Sequence, residues 1–86
     1  MSGVEEVRAG LGLAGRKAEE SVAMLQQATI TLEEAQQTLA QAVQGSSQAE
    51  IEQAHGMLTE AGQTLSGAGG MIRAAVEATE GYAARL

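Results

Sequence analysis

The side chains best equipped for chemistry are carboxylates. Glu5-Glu6, Glu19-Glu20 and Glu33-Glu34 form adjacent pairs that repeat every 14 residues. Paired carboxylates can hold a divalent cation or act as general acid and base. On a helix, however, neighbouring residues project about 100° apart, so the members of a pair cannot close on one ion. A solvated outer helix face is the expected role. Arg16 is placed to pair weakly with Glu19 and Glu20.

The other reactive residue types lack partners. His55 is the only histidine, and the chain has no cysteine. A single imidazole with no cysteine or carboxylate four residues on is not a metal motif. Ser66-Gly67-Ala68-Gly69-Gly70 is glycine-rich, but it has neither the lysine nor the preceding strand of a phosphate-binding loop. Serines and threonines are plentiful, yet no second histidine stands ready to activate one. The expectation is a protein without catalytic residues, cofactor or metal, and not an enzyme.

What would position these groups is a heptad repeat. In the first half a large residue recurs at Val4, Leu11, Leu25, Leu32 and Leu39, with Ala18 as the one small member. Three residues after each comes a second series: Val7, Ala14, Ser21, Ala28, Ala35 and Ala42. In the second half Ile51, Leu58, Leu65, Ile72, Thr79 and Leu86 alternate with Ala54, Ala61, Ala68, Ala75 and Tyr82. Leu-like residues on one seam line and alanine on the other predict two α-helices with a closely packed seam.

The phase of the repeat slips between Val43 and Ile51, so the chain turns there. Gly45 suits the left-handed position that closes a helix. Ser46 or Ser47 can cap the next, and Ser47-Gln48-Ala49-Glu50 has capping-box spacing, as does Ser2-Gly3-Val4-Glu5. The prediction is a single domain over residues 1–86, with helices at about 3–44 and 47–84. A short connection makes them antiparallel. Residues whose numbers sum to about 92 should then be level.

A second apolar set flanks the seam. Val22, Val43 and Val76 follow the small series, and Met24, Met57 and Met71 precede the large one. Two readings stand: partly exposed flanking residues of an ordinary hairpin, or an interface, to which adaptable methionines are suited. Small helical chains often need a partner for stability. Val22, Met24, Val43, Met57, Met71 and Val76 are therefore the candidate interface, on the expectation that Val22 and Val76 stay partly wet in a monomer. Leu13 and Ile30 fall on the outer face. Gly10 and Gly12 come level with Tyr82, the single aromatic residue, and are expected to make room for its ring. Gly69 and Gly70 offer a point of close backbone approach.

Charge narrows the partners. The net charge is −6, which disfavours phosphate backbones and anionic lipid surfaces. No stretch has the roughly 20 apolar residues of a membrane span, and Met-Ser-Gly-Val-Glu-Glu is not a signal peptide. The expected partners are the chain itself, as a homodimer, and another helical protein. Neither nucleic acid nor membrane is expected. A cytoplasmic protein is expected, with export that uses no signal peptide as the alternative.

Two long helices and a tight turn containing glycine resemble the small Trp-x-Gly helical hairpins exported by type VII secretion. Here Gln44-Gly45-Ser46-Ser47 stands where that family has Trp-x-Gly. Tyr82 matches the first residue of its export signal, while Leu86 occupies the position of the signal's acid. The alanine- and glycine-rich character also looks like small actinobacterial helical proteins. The resemblance implies dimeric four-helix assemblies that act as partners rather than catalysts.

The fold expected overall is an all-α antiparallel hairpin dimerising into a four-helix bundle. Three functions fit it: an interaction or assembly module, a secretion-associated hairpin protein, or a carrier holding an apolar ligand inside a bundle.

Overall fold

Alanine, leucine, glutamate and glutamine fill most positions, and no proline interrupts them, so long helices are the low-energy outcome. The computed structural model describes residues 3–45 and 48–86. Helix α1 runs Val4–Ala42 and helix α2 runs Ala49–Ala84. They lie side by side as a rod with extents of 65 × 17 × 15 Å. The architecture is an all-α helical hairpin.

Its ends follow from local chemistry. Glu5 and Glu6 in the first turn of α1, and Glu50 and Glu52 in that of α2, complement the positive end of each helix dipole. Val43 closes α1, its N–H donating to the Leu39 carbonyl at 3.1 Å. Gly45 then turns the chain with φ of +83°, the left-handed conformation expected of it. Gln48 occupies the cap position of α2 without a side-chain capping bond. The capping roles expected of Ser2, Ser46 and Ser47 fall outside the described residues.

The seam differs from the expected one. The large series is in place: Leu11, Leu25, Leu32, Leu39, Ile51, Leu58, Leu65 and Ile72 are all half-buried. The line packed beside it lies four residues after each of these, not three. It comprises Gly15, Val22, Thr29, Gln36 and Val43 on α1, and Gly62, Gly69, Val76 and Ala83 on α2. Val22, Gly69 and Val76 are the buried residues of the described chain. Most of the alanine series is exposed, including Ala14, Ala35, Ala42, Ala61 and Ala75. A helix can turn either neighbouring line inward, and valine removes more apolar area from water than alanine.

Polar residues in the seam are satisfied locally or across it. Thr29 donates to the Leu25 carbonyl at 2.9 Å, so its hydroxyl enters the seam already paired. The Gln36 amide donates to Thr59 Oγ1 and, at 3.4 Å, to the His55 carbonyl. These bonds join antiparallel helices and bracket the level expected from the length of the turn. Among the described residues they are the only side-chain hydrogen bonds between α1 and α2.

Candidate functional site: two unlike broad faces

Each helix of an antiparallel pair presents two flanks beside its seam, and like flanks meet on the same side. Residues one position after the large series line three open grooves with contributions from both helices. Gly12 and Glu19 share one with Glu80. Gln26 shares the next with Ser66 and Arg73, and Glu33 the last with Thr59 and Ser66. This side is the carboxylate face. The alanine lines of both helices therefore lie together on the opposite side, the alanine face.

The alanine face is built from two kinds of position. Ala14, Ser21, Ala28, Ala35 and Ala42 of α1 run beside Ala54, Ala61, Ala68 and Ala75 of α2. Outside them come the residues just before the large series, including Met24, Met57 and Met71, which are 69%, 64% and 76% exposed. Of the charged residues, only Lys17, Glu50 and Arg85 fall on these lines. Alanines are too short to cover the leucines beneath them, which stay half-buried along the whole rod. On the carboxylate face, Glu19, Gln26 and Arg73 line the grooves together with Leu11, Leu25 and Leu65 of the seam.

The candidate interface residues divide accordingly. Met24, Met57 and Met71 project from the alanine face. Val22 and Val76 are not flanking residues: at 3% and 9% exposure they form the core of the hairpin. They lie on the line four after Ala18 and Ile72, which points between the helices. Val43 is half-buried at the end of the same line. Leu13 and Ile30 are on the outer surface, about half exposed.

Two expectations about local packing are corrected. Tyr82 does not settle against Gly10 and Gly12: the residue is 49% exposed, the space beside Gly10 is open, and that beside Gly12 is approached by the Arg16 guanidinium. Arg16 does not form the ion pair with the glutamates. Lys17 does, 3.6 Å from Glu20, and Arg8 pairs with Glu5 at the same distance. Both pairs lie within α1 and are exposed, so neither joins the helices. Within the hairpin, no atom beyond its own helix lies within 4 Å of where a Cβ at Gly69 would be, so the space there is open.

Chemistry does not converge anywhere on the described surface. No three His, Asp or Glu side chains among the described residues are grouped to hold a metal ion. His55 is exposed, and only its backbone carbonyl is engaged. One groove, about 740 Å³, is an open trough lined by Leu11, Val76 and Ala83 together with Arg8, Arg16 and Glu80. Among the described residues no helix is long and apolar enough to cross a membrane. Comparisons with known protein families, with characterised proteins and with solved structures find no match.

Proposed function

We propose that this chain is a non-catalytic protein–protein interaction module that works by self-association of its hairpin. The supporting observation is how little the hairpin buries. Its accessible surface is 6333 Å², whereas a compact monomer of its 8.8 kDa mass would expose about 4,800 Å². Each chain thus shows water about 1,500 Å² more than its size calls for. The described chain has no fully enclosed large side chain to set against that exposure.

A two-layer hairpin leaves its leucines half-buried, because each has a neighbour on one side only. Adding two more helices would cover them, and a second hairpin is the simplest source of two. Burial of about 1,500 Å² per chain would give an interface of about 3,000 Å² in total, within the range of obligate homodimers. Sedimentation equilibrium from about 1 to 100 μM, with helicity followed by circular dichroism, tests this. A dimer mass with concentration-dependent thermal stability is expected. A fully helical monomer throughout that range would refute the proposal.

A further inference from the structure

Resting on that self-association, we infer that the alanine face is the contact surface and that a second copy of this chain covers it, the turn of each hairpin lying at the open end of the other. Three observations single out this face. It is nearly free of charge on a molecule of net charge −6, so two copies can meet here without opposing their carboxylates. Its outer rows carry Met24, Met57 and Met71, 69%, 64% and 76% exposed, alongside the half-buried leucines and isoleucines of the seam. Alanine, finally, lets a facing helix come close enough to touch those leucines, since interaxial distance follows the side chains at the contact.

The face also complements itself. Both helices repeat alanine every seven residues, so a second copy offers the same rows at the same spacing, as a two-fold interface requires. A face 65 Å long and 17 Å across supplies area of the order that the exposure excess demands. The carboxylate face offers no such match. Its glutamates would meet the partner's glutamates.

Charge at the ends sets the direction. On the alanine face Glu50 stands beside the turn, while Lys17 and Arg85 stand toward the open end. Stacking turn against open end brings Glu50 of each copy toward Arg85 of the other. Stacking turn against turn gathers the cationic residues of both copies at one end. The first arrangement also places Met24, near mid-length of α1, beside its own counterpart across the two-fold axis. In the second, Met24 faces α2 of the other copy.

Two measurements test this in the full chain. Ala35→Glu with Ala61→Glu places two charges on the alanine face at exposed positions, so the hairpin itself can accept them. Buried unpaired in a dimer, they should raise the dissociation constant at least about 100-fold. Gln26→Glu with Gln63→Glu adds the same charge to the carboxylate face and should leave the mass unchanged. Separately, Met24→Cys in this cysteine-free chain should yield a disulfide-linked dimer on mild oxidation, and Gln26→Cys should not; this decides the matter even if the glutamate variants unfold. A dimeric wild type indifferent to the alanine-face charges, with no Met24→Cys cross-link, overturns this face while sparing self-association. A monomeric wild type overturns both. Dissociation by the glutamates without the cross-link overturns the turn-to-open-end arrangement alone.

Discussion

The two broad faces share one line of leucines yet treat it differently. On the carboxylate face, Gln36 reaches across to Thr59 and His55. That side holds the hairpin to itself. On the alanine face no side-chain hydrogen bond among the described residues joins the helices, and Met24, Met57 and Met71 stand largely in water. Apolar content alone would not reveal the difference, since valine and alanine are both apolar. Length does, because Gln36 is long enough to reach the other helix and alanine is not.

Substitutions can break or sharpen this contrast. The largest effect is expected at the buried line between the faces. Val22→Asp would enclose an unpaired carboxylate at 3% exposure and should cost more than about 3 kcal/mol, unfolding much of the chain. Loss of helicity at 25 °C checks it; a stable, fully helical variant would mean that Val22 is not core. Next comes the tie on the carboxylate face. Gln36→Ala should lower stability by about 1 kcal/mol through loss of its cross-helix bonds, read as a shift in the urea midpoint. Thr38→Ala, exposed and bonded only to its own helix, serves as the comparison and should shift it less.

A change of opposite sign follows at Gly69. It is buried, but an added Cβ would meet nothing within 4 Å, so Gly69→Ala should stabilise by up to about 1 kcal/mol. A lower melting temperature would show that the helices approach more closely there in solution. The smallest effect belongs to the outer surface, which is part of neither face. Glu20→Gln removes an exposed ion pair with Lys17 and should alter stability by less than about 0.5 kcal/mol. A larger shift in thermal denaturation would overturn that assignment.

The helices and the turn were legible in the residues. The heptad slip after Val43 and the glycine at 45 locate the reversal, because a helix cannot carry its apolar line through a phase change. The line beside the leucines was not legible. Three adjacent lines on each helix are largely apolar: the leucines, the alanines three residues on, and the set four residues on that contains Val22 and Val76. Regular spacing favours the alanines. Packing follows bulk and space, and the four-residue line is irregular, with valine, threonine and glutamine on α1 facing glycine and valine on α2. Periodicity cannot weigh the size of a side chain on one helix against the space left on the other. The consequence for the site was direct, since Val22 and Val76 moved from candidate interface to core while the methionines stayed at the surface.

The glycine cluster of α2 has a consequence for motion. Gly67, Gly69 and Gly70 give that stretch weak intrinsic helix propensity. Yet it lies at the level of Val22 and Leu25, beside the most buried part of α1. Its helix is thus maintained from outside, by contact with α1, more than by its own preference. A segment of this kind does not open by itself while the rest stays folded; its amides become accessible when α2 leaves α1. In hydrogen exchange, residues 67–71 should behave as reporters of hairpin separation, sharing one opening free energy with the amides around Val22, while the residues flanking the turn exchange faster.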